Sequence, residues 1–173
     1  MVNFSIKNIS SEDLDEMIKV ESKSFSDEVK ESEGILLERA SVFRDGFLVV
    51  KDNNRLVGYI SSEIWDSKKI RDTHYAINHS IKDNHTVLGD TLYISSIVVL
   101  PECRRNGLGN MLLEGLIEDI KTKYAKVTNA ELIVSEGWKN AINLYQRTGF
   151  AIQREIIKFF DKENGLIMRK EFY

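Results

Sequence analysis

The chain has 173 residues, 42% hydrophobic and 29% charged, and its 24 Lys and Arg residues against 27 Asp and Glu leave a net charge of −3. This length and composition predict one globular domain over residues 1–173, and they exclude disordered, collagen-like and strongly basic nucleic-acid-binding classes. The apolar runs are too short for a bilayer and the first residues lack the layout of a signal peptide, so we expect a cytoplasmic protein without membrane or nucleic-acid partners. The single cysteine, Cys103, excludes an internal disulfide and a zinc ribbon.

The first third of the chain predicts a short extended segment, two helices and a hairpin. The run Ser10-Ser11-Glu12-Asp13 is a helix start signal, with a capping serine and acidic residues in the first turn. Apolar residues at helical spacing follow it, and a second helical stretch is predicted around residues 32–40. From Phe47 the residues favour a strand, and Asp52-Asn53-Asn54 is a turn that leads into a return strand.

A polar segment over residues 66–90 contains all three histidines and has no clear periodicity, which predicts a long loop or an inserted helix. Thr91–Val99 is then an apolar, β-branched strand that Pro101 ends. A glycine-bearing turn and an amphipathic helix follow it.

The last third predicts a strand at residues 130–134, a short helix at 138–147 and a final hairpin. Two strands, residues 151–160 and 166–172, are joined by residues 161–165, and we place the hairpin turn at the Asn-Gly pair within this connection. The order of elements predicts a mixed α/β (α+β) fold in which hairpins flank a strand-helix-strand-helix unit.

The turn after the Thr91–Val99 strand has the features of an anion site. Glycines allow close approach of the backbone to a ligand, and the unpaired N–H groups at a helix start attract negative charge. A Walker A loop is excluded because Gly109 is followed by Asn110 and Met111 in place of Lys and Ser or Thr. A dinucleotide fingerprint is excluded because Leu112 stands where its third glycine belongs.

Two motifs resemble the GCN5-related N-acetyltransferase (GNAT) family. Residues 104–109, Arg-Arg-Asn-Gly-Leu-Gly, match its pyrophosphate loop, and residues 141–150, Ala-Ile-Asn-Leu-Tyr-Gln-Arg-Thr-Gly-Phe, match its second signature. Leu92-Tyr93-Ile94 is similar to protein N-terminal acetyltransferases of this family. The resemblance implies the GNAT fold, a mixed central β-sheet with splayed central strands, flanked by helices.

The resemblance also implies acetyl-CoA as co-substrate and no metal. Many relatives bind pantetheine through an asparagine at the position of Trp138, so either Asn140 replaces that contact or the contact is lost. The cofactor-binding residues that the resemblance implies are the backbone of the strand edge, the loop and this asparagine: Ile97, Val98, Val99, Arg104, Arg105, Asn106, Gly107, Leu108, Gly109, Asn110 and Asn140.

Direct attack of an amine on a thioester requires a neutral amine, a polarised carbonyl and a protonated leaving thiolate. The resemblance assigns the general acid to Tyr145, whose phenol has a basicity comparable to that of a thiolate. It assigns the proton-accepting step to a water ordered by Tyr93. The histidine that accompanies such a tyrosine in relatives is replaced here by Ile133, so Glu63, His74 or a water chain are alternatives.

The sequence therefore favours an acetyl-CoA-dependent N-acetyltransferase that acts on a primary amine in a ternary complex. A protein or peptide N-terminus and a small amine both remain open as acceptors. The alternative is a non-catalytic acyl-CoA-binding or regulatory module. Family members often dimerise, so a homodimer is a further expectation from the resemblance.

Overall fold

A computed structural model describes residues 3–173 and shows one mixed sheet with helices on both faces. Seven strands pair in the order β1-β2-β3-β4-β5-β7-β6. Their bounds are β1 (Phe4–Asn8), β2 (Phe47–Asp52), β3 (Arg55–Trp65), β4 (Thr91–Val99), β5 (Asn129–Ser135), β6 (Ala151–Phe160) and β7 (Glu163–Glu171). The helices are α1 (Leu14–Ser24), α2 (Glu33–Val42), α3 (Ile81–Asn84), α4 (Leu108–Lys123) and α5 (Lys139–Arg147).

The centre of the sheet is split between β4 and β5. These two strands run parallel and pair only through three residues of each, from Thr91–Tyr93 opposite Asn129–Glu131. All other neighbouring strands are antiparallel. The mixed sheet with splayed central strands that the family resemblance implies is therefore confirmed.

A β-bulge lies where the split begins. Ser62 pairs with Ile94 and Ser61 with Ser96, so Ser95 is an extra residue in β4, and its hydroxyl oxygen is 2.8 Å from that of Ser61. A bulge bends its strand and increases the local twist. The bulge therefore lets β4 leave β5 without losing its pairing with β3.

The helices divide between the two faces because strand side chains alternate. Tyr59 and Glu63 on β3 point to the face that α1 and α2 cover, where Tyr59 contacts Glu21 and Glu63 contacts Arg39. Leu48, which pairs with Ile60 on the other face, lies beneath Gly115 of α4. Among the described residues, no helix is long and apolar enough to cross a membrane.

The final hairpin corrects one prediction. Strand β7 begins at Glu163, which pairs with Phe160, so the turn is Asp161-Lys162 and the predicted Asn-Gly turn is wrong. Asp161 supplies the positive φ of 57° that the tight turn needs. Gly165 instead permits close packing, because a Cβ there would lie 2.6 Å from the Ile133 side chain.

The segment over residues 66–90 forms short helical turns and the one-turn helix α3, so both predicted alternatives hold in part.

The predicted capping signal at the chain start is confirmed. The Ser10 amide and hydroxyl both donate to Asp13, at 2.8 and 2.7 Å. Lys7 and Lys51 also contact the buried Asp13 carboxylate, at 2.9 and 2.6 Å, which joins α1 to the first two strands.

We expect Asp13→Asn to destabilise the fold by about 1–3 kcal/mol at neutral pH, because charged hydrogen bonds to a buried group are lost. Burial opposes ionisation, but Lys51, Lys7 and Ser10 outweigh it and hold the pKa of Asp13 well below its usual value. This stability is therefore present above about pH 4, the unfolded carboxyl pKa, and is lost as pH falls through the lowered folded-state pKa.

Urea denaturation at several pH values measures this difference. The matched control is Asp15→Asn, an exposed carboxylate two residues further along the chain. A wild-type advantage over Asp13→Asn that persisted at strongly acid pH would contradict the assignment.

Candidate active site

The split between β4 and β5 opens a cleft of about 1920 Å³ that passes through the centre of the fold. One end is formed by the loop before α4 and by α5. The other end is formed by the segment that joins α1 to α2, by residues 75–79 and by the β6–β7 hairpin. We refer to these two ends as the mouths of the cleft, and its volume can hold two substrates.

The loop before α4 is shaped for an anion. Arg105 and Gly107 have positive φ angles of 69° and 73°, so the backbone reverses direction just before the helix. Within the described part of the chain, the main-chain N–H groups of residues 105–110 have no hydrogen-bond partner. Oriented N–H groups of this kind at a helix N-terminus favour phosphate.

Side chains of the loop hold this shape. The Arg104 Nε donates to the Val99 carbonyl at 3.0 Å, and the Asn106 side-chain amide donates to the Cys103 carbonyl at 3.0 Å. Arg105 has no such tie among the described residues and lines the cleft. The sequence predicts that Arg104 or Arg105 contributes positive charge beside a pyrophosphate. Arg105 is the better candidate, because its side chain is not tied to the loop backbone.

The start of α4 packs tightly against α5. A Cβ on Gly109 would lie 3.1 Å from the Leu144 side chain, so a glycine allows the two helices to approach. This approach places Asn140 and Tyr145 of α5 along the cleft that the loop begins.

The register of β4 decides which of its amides face the open cleft. The Leu100 N–H donates to the Val57 carbonyl at 2.9 Å, and hydrogen-bonded pairs alternate in an antiparallel ladder. The backbone polar groups of Val98 therefore face β3, whereas those of Ile97 and Val99 face the cleft. Of the three residues predicted to pair with pantetheine, only Ile97 and Val99 direct their backbone polar groups into the cleft. Among these groups, the Val99 carbonyl is already bound by Arg104.

Tyr145 lines the cleft and is only 6% exposed. Burial raises the pKa of Tyr145 well above its usual value of about 10. Its phenol is therefore protonated at neutral pH, which is the state that a general acid requires.

Tyr93 lies at the other side of the split. It is 3% exposed, and its ring stacks on Trp65 with centroids 3.8 Å apart. Burial and the negative charge of Glu63 raise the pKa of Tyr93 well above its usual value. Tyr93 can orient a water as a neutral phenol, but the proton must be taken up by another group.

A buried chain of alternating charges lies behind Tyr93. Arg39, fully buried, pairs with Glu31, and its Nε lies 3.6 Å from the Glu63 carboxylate. The other neighbours of Glu63 are His79 Nε2 at 2.6 Å and Trp65 Nε1 at 2.7 Å. This chain ties α2, the loop of residues 75–79 and β3 together, and so fixes the walls of one mouth.

The contacts of His79 within this chain favour its protonated form. Its Nδ1 contacts the Ala76 carbonyl at 2.7 Å and its Nε2 contacts Glu63, and both partners only accept hydrogen bonds. Burial lowers the pKa of His79, but the Glu63 hydrogen bond and charge outweigh it, so the pKa is raised.

Glu63 and His74, which the sequence leaves open as bases, do not line the cleft. Glu63 is occupied by its buried partners. His74 accepts from the Arg71 N–H at 3.1 Å and lies edge-on to Trp65.

The Trp138 ring lies between aromatic side chains from two walls of the cleft. It lies 6.3 Å from Phe25 at the end of α1 and 5.4 Å from Phe160 in the β6–β7 hairpin, measured between centroids. Asn140, the residue predicted as one possible replacement for the missing pantetheine contact, lies in the first turn of α5 and lines the cleft.

The buried ion chain was not predicted from the sequence. Arg39 lies in α2 and Glu31 two residues before the helix begins, and both residue types are usually solvated. Their separation of eight residues was the one sequence signal that connects them. Among residues 3–173, no group of three His, Cys, Asp or Glu side chains could hold a metal ion. Burial raises the pKa of Cys103, which does not line the cleft.

Comparisons with known proteins agree with this geometry. The acetyltransferase (GNAT) family model matches residues 11–150. The catalytic subunit NAA20 of the N-terminal acetyltransferase B complex of Arabidopsis thaliana is 34% identical over 79 residues, 45% of each chain, so this match spans under half of that relative. The N-alpha-acetyltransferase of Sulfurisphaera tokodaii is 26% identical over 168 residues, 95% of this chain and 91% of that protein.

Among solved structures, the loading GNATL domain of CurA from Lyngbya majuscula has a TM-score of 0.82 at 16% identity, covering 98% of both chains. This likeness shows a shared fold. The split sheet and its anion loop define an acyl-CoA-binding class of protein. Because the family model covers most of the chain, the chain belongs to the acetyltransferase (GNAT) family, and it is an acetyl-CoA-dependent N-acetyltransferase.

Gly107→Glu is expected to weaken acetyl-CoA binding at least about 100-fold, because it adds a carboxylate beside the pyrophosphate site and strains a left-handed backbone position. Calorimetric titration with acetyl-CoA measures the affinity. Gly34→Glu in α2 is the matched control, since it adds the same charge where no atom lies within 4 Å of a new Cβ. Wild-type affinity in folded Gly107→Glu protein would exclude this loop as the anion site.

Proposed function

We propose that this acetyltransferase acts on the α-amine of a protein or peptide N-terminus. The observation that carries the proposal is the two-mouthed cleft, which gives the acceptor a mouth separate from that of acetyl-CoA. The archaeal N-alpha-acetyltransferase matched over nearly the full length of both chains supports the same acceptor class.

The cleft is electrically polarised along its length. Apart from His79, its basic lining side chains flank the anion loop, and its acidic ones surround the opposite mouth, which we assign to the acceptor. The basic residues are Arg104, Arg105, Lys139 and Arg147, and the acidic residues are Glu21, Glu28, Glu31 and Glu163. The first end favours the phosphates of acetyl-CoA, and the second favours a cationic amine.

The N–H groups of residues 105–110 bind the pyrophosphate, and the Ile97 carbonyl and the Val99 N–H pair with pantetheine. The Ile97 N–H donates to the thioester oxygen and stabilises negative charge in the transition state. Tyr93 orients water beside the acceptor amine. Tyr145 donates its proton to the departing sulfur.

The aromatic bridge shapes the acceptor mouth. Phe25, Trp138 and Phe160 form an apolar arch over the cleft, and Val29 and Ile77 continue the apolar lining. A peptide N-terminus offers a side chain next to its amine that can contact this lining, whereas a polyamine does not. This apolar lining favours the peptide over the small amine.

A panel of acceptors tests the proposal, with acetyl-CoA as donor and products identified by mass spectrometry. The panel contains three kinds of acceptor. The first is a set of lysine-free peptides with a free α-amine, the second is the same peptides with a blocked, N-formylated terminus and one added lysine, and the third is a polyamine. Acetylation of the free α-amine peptides alone is the expected result. Acetylation confined to lysine or polyamine contradicts the acceptor class, and binding of acetyl-CoA without any transfer indicates the non-catalytic module.

Tyr145→Phe is expected to lower kcat by about 10²–10⁴-fold, since the leaving thiolate loses its proton donor. The affinity for acetyl-CoA should not change, because only a hydroxyl is removed. Initial rates of thiol release and calorimetry provide the two readouts. Tyr124→Phe is the control, whose hydroxyl donates to Asp45 at 2.9 Å outside the cleft, and an unchanged kcat in Tyr145→Phe would rule out Tyr145 as the acid.

The homodimer and the cytoplasmic location expected from the sequence stay predictions, as does the assignment of residues 1–173 to one domain. Dimerisation can be measured directly by sedimentation equilibrium.

A further inference from the structure

Glu21 of α1 is a buried carboxylate that the mechanism above does not use. It is 2% exposed, and it lines the acceptor end of the cleft. Its Oε1 accepts the Glu31 main-chain N–H at 2.8 Å, and its Oε2 accepts the Tyr59 hydroxyl at 2.5 Å. Among the described residues, no Lys, Arg or His forms an ion pair with it, in contrast to the neighbouring Glu31 and Glu63.

Glu21 also lines a second, smaller pocket, which lies between α1 and the start of α2. This pocket has a volume of about 190 Å³ and is lined further by residues of the α1–α2 segment, including Lys30, Ser32 and Glu33. That volume accommodates several waters, each of which occupies about 30 Å³ in the liquid. Glu21 thus stands in the wall between the acceptor cleft and a space that leads outward past half-exposed and exposed residues.

Tyr59 links Glu21 to the segment of β4 that borders the cleft. Tyr59 pairs with Val98 on β4, and the Ser96 hydroxyl adjoins the Tyr59 phenol. Ser95 and Ser96, at the bulge where β4 leaves β5, both line the cleft. The Glu21 carboxylate is therefore joined through Tyr59 to the segment of β4 that faces the thioester in the proposed function.

We propose that Glu21 is the residue that takes the proton of the acceptor amine and releases it through the second pocket. The inference rests on the proposed function, which it deepens by naming the proton acceptor. A water in the cleft carries the proton from the ammonium group to the Glu21 carboxylate, leaving a neutral amine and a carboxylic acid. A bound peptide blocks the main cleft, so the second pocket is the route by which this proton reaches solvent.

The remaining steps balance. The amine lone pair forms the C–N bond, the C–S bond breaks, and the sulfur takes the proton of Tyr145. The amide nitrogen then loses its second proton, which restores the Tyr145 phenol. One proton is released overall, as the conversion of an ammonium group and a thioester into an amide and a thiol requires.

The surroundings of Glu21 suit this exchange. Burial raises the pKa of Glu21, which brings its proton affinity nearer to neutral pH, while the Tyr59 hydroxyl and the Glu31 N–H act in the opposite direction. The charged groups that face it are Glu31 from the α1–α2 segment and Arg39 from α2, with Lys30 in the second pocket.

The test is the pH dependence of kcat for a peptide acceptor at saturating acetyl-CoA. In Glu21→Gln we expect kcat at neutral pH to fall about 100-fold and the acidic limb to move up toward about pH 8, the ionisation of a free α-amine. Tyr59→Phe removes only a hydroxyl that stabilises the carboxylate. It should move the acidic limb to higher pH and leave the plateau within about twofold.

Glu114→Gln, an exposed carboxylate on α4, is the control and should superimpose on the wild type. Unmoved acidic limbs in both Glu21→Gln and Tyr59→Phe would overturn the inference, and if Glu21→Gln does not fold, an unmoved limb in Tyr59→Phe alone suffices. Failure of the inference can be distinguished from failure of the proposed function. If the proposed function is wrong, the wild type itself transfers no acetyl group to any peptide, and the inference fails with it.

Discussion

The structure depends on one constraint, the early separation of two parallel strands in the middle of a sheet. Strands β4 and β5 share three residue pairs and then diverge, which leaves main-chain amides of β4 without a strand partner. Unpaired backbone groups in a protein interior are unfavourable unless a ligand or water satisfies them. The split therefore requires a ligand or water between the strands, and the bulge at Ser95 allows it while β4 stays paired with β3.

Holding the split open requires walls that do not collapse into it. On one side, α4 and α5 meet through Gly109 and Leu144. On the other side, the buried Glu31–Arg39–Glu63–His79 chain joins elements that are distant in sequence. Partners in such a chain are expensive to remove singly, because each removal leaves a buried charge unpaired. The same rigidity places Glu21 and Tyr93 at one mouth and Tyr145 along the path to the other.

The sequence predicted the parts of the site that are local. The conformations of the loop at residues 104–109 and of the helix around Tyr145 are determined by residues close in sequence. The same holds for most boundaries of the helices and strands. The buried ion chain could not be predicted, since Arg39 and His79 are 40 positions apart and their charges resemble those of solvated residues. The Asn164-Gly165 turn was wrong for a similar reason: packing of Gly165 against Ile133 outweighed a local turn preference.

The central claim is that acetyl-CoA and the acceptor occupy the two mouths of one cleft at the same time. Initial rates measured while both substrates are varied test it most directly. The account predicts double-reciprocal lines that intersect, because the amine attacks the thioester within a ternary complex. Parallel lines would contradict it, since they require the acetyl group to reside on the protein after CoA has left.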